Sequence, residues 1–422
     1  MVDIARVNIW GQFAGAISWN ENSKSTAFEY DKNFIKQAYD IAPLQMPLDE
    51  ADNGSIFTFP TLNFDTFKGL PGLLSDSLPD RFGSKLMNIW LTALGKTFES
   101  INPIERLCYI GKRGMGALEY EPAIMSETSN PVKIEDLVII AQDILNNKKD
   151  FTADLSDKGV HEIFKVGTSA GGARAKAVIA YHPGTGEVRS GQIDGLEGFE
   201  YWIIKFDGVY SNQFGESQAH GNIEYAYYLM ALDCGIEMSK CSLLQENERF
   251  HFMTKRFDRK GSEKVHMQTL CAIAHYDYND PLSYSYEQIF QIMRQLRLPY
   301  HDAEQMFRRM VFNVIAENRD DHTKNISFLL EKNGKWKLAP AYDITFSYNP
   351  ANKWTGAHQL SVNNKRTDIR DEDMLEVATK MNIKKPLEII EQVRDTVSRW
   401  KQFAFLAGVR KETMESIQKV LD

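Results

Sequence analysis

Residues 318–328 read NRDDHTKNISF, and residues 336–343 read WKLAPAYD. The first stretch holds an acid and an amide five residues apart, Asp320 and Asn325, and the second ends in Asp343, eighteen residues further on. Apolar runs flank the first stretch, so an ordinary polar turn between a helix and a strand would look the same. Two interpretations therefore stand: a turn whose polar groups serve the backbone, or a loop that carries chemistry.

The spacing of these side chains is that of the catalytic loop of protein kinases. In that loop an Asp orients the attacking hydroxyl, an Asn after four intervening residues holds Mg²⁺, and a later Asp holds the metal against the phosphates. The pattern makes Asp320 the base, and Asn325 and Asp343 the metal ligands. It departs from the usual form at Asn318, where His is common, and at residues 344–345, where Ile-Thr replaces Phe-Gly.

A glycine-rich segment lies upstream, where residues 167–172 read GTSAGG between two predicted strands. Glycines let backbone N–H groups approach phosphate oxygens without interference from a Cβ atom. The two outer glycines have Walker A spacing, but Ala173-Arg174 replaces the required Lys-Ser/Thr, which argues against a P-loop NTPase. A plain hairpin turn is the alternative to a phosphate-binding loop.

Lys205 and Glu224 are candidates for the ion pair of a kinase N-lobe. Lys205 ends an apolar strand, so its neighbours enter a core while its ammonium must reach a negative group. In kinases that group is the nucleotide phosphate, and a Glu of the next helix pairs with the Lys. The pattern places Glu224 in the first turn of the next helix, where a solvent-facing Glu favoured by the helix dipole is the alternative.

Periodicity and turn residues predict a β-rich part followed by a helical part. The fold class predicted is α+β, a bilobal protein-kinase-like fold with an N-terminal α+β subdomain (1–130), a β-rich N-lobe (131–257) and an all-α C-lobe (258–422). The predicted elements are a β-hairpin within 3–20, strands at 26–30, 163–166, 173–181, 201–206 and 250–259, and helices at 81–94, 133–147, 223–232, 286–296, 302–316, 371–380, 386–408 and 412–421.

Composition limits the possible functions of this chain. Its 422 residues are 43% hydrophobic and 25% charged, which excludes a disordered protein. A net charge of −8 argues against a broad grip on nucleic acid. No signal sequence and no long apolar run is present, so a soluble, cytoplasmic protein is expected. The four cysteines form no CxxC pair, so neither a disulfide framework nor a structural zinc site is indicated.

Taken together, these motifs resemble those of the HipA family of serine/threonine kinases, the toxins of bacterial toxin–antitoxin pairs. The segments that carry the resemblance are 318–328 with 338–343, 168–176, 256–259, and 69–72 with 76–80. They extend over nearly the whole chain.

The resemblance implies ATP and Mg²⁺ as cofactors, Asp320 as catalytic base, and Asn325 and Asp343 as metal ligands. Ser169 would be an autophosphorylated residue whose modification silences the enzyme. One departure is Ala175, where the family commonly has Glu. The nucleotide site would be lined by Gly171, Gly172, Ala173, Arg174, Ala175, Lys176, Lys205, Lys255, Arg256, Phe257, His322, Lys324 and Tyr342.

The resemblance also implies partners: a helix-turn-helix antitoxin similar to HipB, operator DNA reached through it, and a protein substrate such as an aminoacyl-tRNA synthetase. Two other functions stay open, a catalytically silent kinase fold acting as co-repressor and a small-molecule phosphotransferase. The intact set of Lys205, Asp320, Asn325 and Asp343 favours an active protein kinase, because a scaffold needs none of them.

Overall fold

The computed structural model describes residues 2–124, 131–145, 175–192, 195–209 and 220–422. The chain forms two compact units. The first comprises Met1–Gln218, Leu244–Gln268 and Leu330–Gly334, and the second comprises Ala219–Leu243, Thr269–Leu329 and Lys335–Asp422. The three-part division at residues 130 and 257 stays a prediction. Among the described helices, none has the length and apolar character to cross a membrane.

The first unit opens with an antiparallel sheet in the order β4-β3-β2-β1-β5. The predicted hairpin is confirmed: Trp10 and Gly11 both have positive φ, the backbone that a two-residue hairpin turn requires. The predicted strand at 26–30 is β3. The strands are β1 Ile4–Ile9, β2 Gln12–Asn20, β3 Ser25–Tyr30, β4 Phe57–Thr58 and β5 Leu118–Glu121.

Along the chain, helices lie between and after the strands of this first sheet. Asp80 caps the predicted helix near 81–94, because its carboxylate accepts a hydrogen bond of 2.7 Å from the Gly83 amide. A helix that the periodicity did not predict begins after Asn102, with Pro103 at its first position. The helices are α1 Lys32–Ile35, α2 Leu48–Asp52, α3 Phe64–Phe67, α4 Gly72–Ser75, α5 Arg81–Ala93, α6 Pro103–Ile110 and α7 Ile134–Leu145.

A second antiparallel sheet has the order β7-β6-β8-β10-β9. It contains three of the predicted strands, while the strand predicted at 163–166 lies outside the described residues. Three short strands lie between this sheet and the loop at residues 318–326. The strands are β6 Lys176–Tyr181, β7 Val188–Ser190, β8 Glu200–Lys205, β9 Cys241–Glu246, β10 Arg249–Lys255, β11 Arg259–Lys260, β12 Glu263–Lys264 and β13 His266–Thr269.

The second unit is mainly helical around a core that includes Tyr227, Phe312 and Trp400. Ring centroids of Tyr227 and Trp400 lie 5.6 Å apart, and the Tyr227 hydroxyl donates to the Ala316 carbonyl at 2.6 Å. The elements are α8 His220–Asp233, α9 Leu270–Ala274, α10 Tyr286–Gln295, α11 Tyr300–Ile315, β14 Ser327–Leu330, β15 Trp336–Leu338, α12 Asp371–Met381, α13 Pro386–Ser398, α14 Trp400–Leu406 and α15 Lys411–Leu421.

Two features of this unit differ from the predictions. The single helix predicted over 386–408 is wrong, since the chain forms α13 and α14 with a break at Arg399, whose φ is −92° and ψ 17°. The Arg399 guanidinium donates to Asp233 of α8 at 2.5 Å, a tertiary contact that periodicity does not reveal. In addition, the strands β14 and β15 lie within the part expected to be all-α, directly after the acid-amide loop.

Candidate active site

The loop at 318–326 connects the end of α11 to β14. Glu317 turns the chain with a φ of 53°, in the left-handed region. Asn318 then fixes the start of the loop: its main-chain N–H donates to the Asn313 carbonyl at 3.0 Å, and its side-chain amide donates to Asn313 Oδ1 at 2.8 Å. Both donors of Asn318 are thus tied to the last turns of α11, so the residues that follow begin from a defined position.

Asp320 presents a partly exposed carboxylate. Its backbone N–H donates to Ser347 Oγ at 3.0 Å, and its Oδ1 accepts a hydrogen bond of 3.0 Å from Gln359 Nε2. His322 Nε2 lies 3.8 Å from the same oxygen, and the Asp320 side chain is 44% exposed. A carboxylate that is oriented by neighbours yet open to solvent is suited to receive a hydroxyl proton.

Asn325 lies beside Asp320, as their spacing predicts. Its side-chain Nδ2 donates to the Asp320 carbonyl at 2.7 Å, and its backbone N–H donates to the His322 carbonyl at 2.8 Å. Because Nδ2 is used in this bond, Oδ1 is the atom of the side chain that can take a cation. The loop therefore closes on itself, with the Asn325 side chain bonded to the main chain of Asp320.

Tyr342, the residue directly before Asp343, contacts this loop. Its hydroxyl donates to the Lys324 carbonyl at 2.7 Å and lies 2.6 Å from Ser327 Oγ, so it contacts residues on both sides of Asn325. Asp343 follows directly and has a φ of 55°, an uncommon backbone for a residue other than glycine. Such backbone costs about 1–3 kcal/mol and concentrates at functional sites.

These residues fit Mg²⁺ that arrives with a nucleotide. Mg²⁺ is held by one or two carboxylates together with substrate phosphates and water, so Asn325 and Asp343 suffice as protein ligands. Across the described ranges, no three His, Cys, Asp or Glu side chains cluster to hold a metal ion by themselves. The donor set thus suits a metal shared with ATP.

His322 and Lys324, two predicted nucleotide contacts, are both on this loop. The Lys324 backbone N–H donates to His322 Nδ1 at 3.2 Å, and the Lys324 ammonium lies 4.5 Å from the ring centroid of Tyr278. His322 Nε2 thus lies near the Asp320 carboxylate, while the Lys324 ammonium lies over Tyr278.

Sequence reasoning missed the residues that hold the loop in place from behind. Asp321 is only 2% exposed and accepts hydrogen bonds from the Tyr286 hydroxyl at 2.9 Å and the Gln359 backbone N–H at 2.8 Å. His358 Nδ1 lies 3.2 Å from the same carboxylate. Of two adjacent acids, one is buried and structural and the other is presented outward, a division that the Asp-Asp pair alone does not reveal.

In the first unit, Lys205 is the last residue of β8. It is half-buried, stands opposite Phe252 of β10 and Lys176 of β6, and its ammonium lies 5.6 Å from the Phe252 ring centroid. Lys255, at the end of β10, forms a partly exposed ion pair with Glu200 at 2.6 Å. Two predicted nucleotide contacts therefore lie on neighbouring strands of one sheet.

Other residues predicted to contact the nucleotide are buried or half-buried, and two of them form ion pairs. The Lys176 ammonium forms a buried ion pair with Asp80 at 3.2 Å, and Ala175 is itself buried. The Arg256 guanidinium is fully buried and pairs with Asp258 at 2.7 Å, while Phe257 is half-buried. The roles of these residues at a nucleotide stay predictions.

Gly171, Gly172, Ala173, Arg174 and Ser169 lie outside the described residues, and their roles stay predictions.

The structure corrects the interpretation of Glu224. This residue lies in the second turn of α8, which begins at His220, and not in the first. It is only 1% exposed, so the solvent-facing alternative is wrong.

Comparison with known families matches two models to this chain. The HipA-like C-terminal domain matches residues 168–400, and the HipA N-terminal domain matches residues 5–121. Together they match most of the chain and leave residues 1–4, 122–167 and 401–422 unmatched.

Two sequence relatives are similar over part of their length. A Haemophilus influenzae protein named "Putative kinase" is 33% identical over 110 residues, which cover 24% of this chain and 32% of that protein. "Putative kinase Y4dM" of Sinorhizobium fredii is 26% identical over 176 residues, 40% of each chain. The matched region thus spans well under half of either relative.

Among solved structures, a chain of the complex of Shewanella oneidensis HipA, HipB and operator DNA is similar to this one. The TM-score is 0.68 at 15% identity, covering 99% of this chain and 94% of that chain. At this identity the likeness shows the fold alone. The prediction of an α+β, kinase-like fold is confirmed.

Proposed function

The chain belongs to the HipA family, and from that premise we propose that it is an ATP- and Mg²⁺-dependent serine/threonine protein kinase, the toxin of a bacterial toxin–antitoxin pair. The observation that carries the proposal is the hydrogen bond of 2.7 Å from Asn325 Nδ2 to the Asp320 carbonyl. It joins the acid and the amide of the predicted catalytic loop, and Tyr342, the residue before the second acid, Asp343, donates a hydrogen bond to the same loop.

Phosphoryl transfer depends mostly on positioning and charge stabilisation. In this proposal Asp320 orients the substrate hydroxyl and takes its proton, and Asn325 and Asp343 hold Mg²⁺. The metal neutralises charge on the transferred phosphate when it is bound. Lys205 contributes a fixed positive charge to the phosphates.

Ser169 is the proposed site of autophosphorylation. A phosphate there brings about −1.5 to −2 charge into a glycine-rich segment meant to bind the phosphates of ATP. The modified residue and the nucleotide then compete for the same donors, and phosphorylation switches the enzyme off.

The proposed partner is a helix-turn-helix antitoxin similar to HipB, which connects the toxin to operator DNA. Support comes from the similar fold of the Shewanella oneidensis HipA, whose structure is a complex with HipB and operator DNA. The proposed substrate is a translation component such as an aminoacyl-tRNA synthetase, met in the cytoplasm.

The test is incubation of the purified protein with labelled ATP-Mg²⁺ and a lysate of its host, followed by mass spectrometry of the labelled proteins. An Asp320→Asn protein serves as the control, since its fold should be retained. We expect one or a few labelled host proteins, phosphorylated on Ser or Thr, with wild type alone. If no protein is labelled, the kinase itself included, the proposal is contradicted and a silent co-repressor is favoured.

A further inference from the structure

Gln359 contacts the carboxylate of Asp320 although 39 positions separate the two residues. Its Nε2 donates to Asp320 Oδ1 at 3.0 Å from a buried side chain. We propose that Gln359 is a positioning residue for Asp320, and that its amide fixes the orientation of the carboxylate for proton transfer. This inference rests on the proposed kinase function and names a residue that neither the motif nor the comparisons assign.

The backbone of Gln359 is held on both sides. Its N–H donates to the buried Asp321 carboxylate at 2.8 Å, and its carbonyl accepts a hydrogen bond from the Arg366 guanidinium. Asp321 is in turn held by the Tyr286 hydroxyl at 2.9 Å. Residues that orient a functional group act well when their own position is fixed in this way.

Asp320, Asp321 and Gln359 are thus linked in a ring by the chain itself and by two hydrogen bonds. Asp321 follows Asp320 in the chain and holds the Gln359 main chain, while the Gln359 side chain returns to Asp320. One buried acid therefore sets the position of the donor that contacts the neighbouring acid. A shift of residue 359 would move that donor away from Asp320.

The orientation of the Gln359 amide agrees with this role. Within the part of the chain that the structure describes, its buried Oε1 has no hydrogen-bond partner. The hydrogen bond to Asp320 is thus the polar interaction that the Gln359 side chain makes. A flipped amide would instead place Oε1 against the Asp320 carboxylate, and the two oxygens would repel each other. Buried polar atoms without partners are rare in proteins, and each calls for an explanation such as a functional role for its group.

A hydrogen bond to Oδ1 restricts rotation of the Asp320 carboxylate, so the group that is to accept the proton keeps one orientation. His322 Nε2 lies 3.8 Å from the same oxygen, and the Asp321 carboxylate and His358 lie behind the loop.

The test compares Gln359→Leu with wild type in steady-state phosphoryl transfer. We expect kcat to fall about tenfold, since a hydrogen bond to a charged group is lost, while KM for ATP changes by less than about twofold.

Gln359→Glu gives an independent readout with nearly the same shape. A second carboxylate beside Asp320 should suppress activity at pH 8, and activity should recover at lower pH, where Glu shares a proton and donates again. Recovery on acidification is not expected of a residue that only fills space.

Thr396→Val is the matched control. The Thr396 hydroxyl is also buried and donates to a carboxylate, that of Asp233, at 2.6 Å in the same unit. Its loss should lower stability without moving the pH profile or kcat, which separates a general loss of packing from an effect on the base.

A measurement that needs no turnover distinguishes failure of the Gln359 proposal from failure of the proposed kinase function. Crystal structures of wild type and Gln359→Leu are compared at the Asp320 side chain. A rotated or disordered Asp320 carboxylate in the variant supports the positioning role even if wild type transfers no phosphate, which would refute only the kinase function. An unchanged orientation of this carboxylate, or an unchanged kcat in Gln359→Leu of an active kinase, overturns the role of Gln359.

Discussion

Replacing Asp258 with Asn should destabilise the first unit strongly. Its fully buried carboxylate accepts hydrogen bonds from Arg256 Nη2 at 2.7 Å, Arg259 Nη1 at 2.9 Å and the Gly116 backbone N–H at 2.7 Å. The variant removes the carboxylate that pairs with these two buried guanidinium groups. Removing one partner of a buried ion pair costs about 3–5 kcal/mol.

The lower end of that range applies here. Arg259 keeps a hydrogen bond to the Gly116 carbonyl at 3.0 Å and Arg256 keeps a long contact with the Gly114 carbonyl at 3.5 Å, so each guanidinium retains a main-chain acceptor. A loss of about 3 kcal/mol corresponds to roughly a hundredfold increase in the opening equilibrium.

The pH dependence has a definite sign. Burial alone would raise the pKa of Asp258, but the guanidiniums of Arg256 and Arg259 hold this pKa well below its usual value. A lowered folded-state pKa stabilises the protein above the unfolded value, about 3.9, and this stabilisation is lost as pH falls through the folded-state pKa. The difference between wild type and Asp258→Asn should therefore be constant above about pH 5 and shrink below pH 4.

Hydrogen exchange of β5 is the assay, because the chain forms two units and a single unfolding transition cannot be assumed. At pH 7 the β5 amides of Asp258→Asn should exchange about a hundredfold faster than those of wild type. Asp65→Asn is the control, since Asp65 is 90% exposed and lies 3.9 Å from Lys68, and it should leave exchange unchanged. Equal β5 protection in Asp258→Asn and wild type would show that this carboxylate does not stabilise the unit.

Three further outcomes are expected from the proposed site. Asp343→Ala should weaken Mg-ATP binding by about tenfold or more in calorimetry, because a metal ligand is lost, and unchanged affinity would remove it from the metal site. Expression of wild type without its partner should arrest growth of the host, whereas Asp320→Asn and Lys205→Ala should not, and equal arrest by wild type and Asp320→Asn would favour the silent co-repressor. After incubation with ATP, peptide mass spectrometry should find phosphate on Ser169 in wild type only, and phosphorylated protein that binds ATP normally would refute the switch.

Local patterns in the sequence predicted those features that depend on near neighbours in the chain. The hairpin at Trp10-Gly11 follows from alternating apolar residues and a two-residue turn. Asn325 meets Asp320 because five residues of loop are enough to close the bond. Such features need no information about distant contacts.

Features that depend on distant partners could not be predicted in this way. Lys176 and Arg256 look like solvent-exposed or ligand-binding charges in the sequence, yet each is buried against a carboxylate. Gln359 carries no motif, and only folding brings it to Asp320. Arg399, at the break between α13 and α14, contacts Asp233, 166 positions earlier in the chain. In each case a tertiary contact decides what periodicity leaves open.

The most direct test of the central claim is single-turnover phosphoryl transfer by Asp320→Asn, measured together with its affinity for Mg-ATP. Loss of the base should slow transfer by about a hundredfold or more. Affinity for ATP should stay within about threefold of wild type, because the base acts on the hydroxyl and not on the nucleotide. Near-normal transfer by Asp320→Asn would contradict the assignment of the catalytic loop.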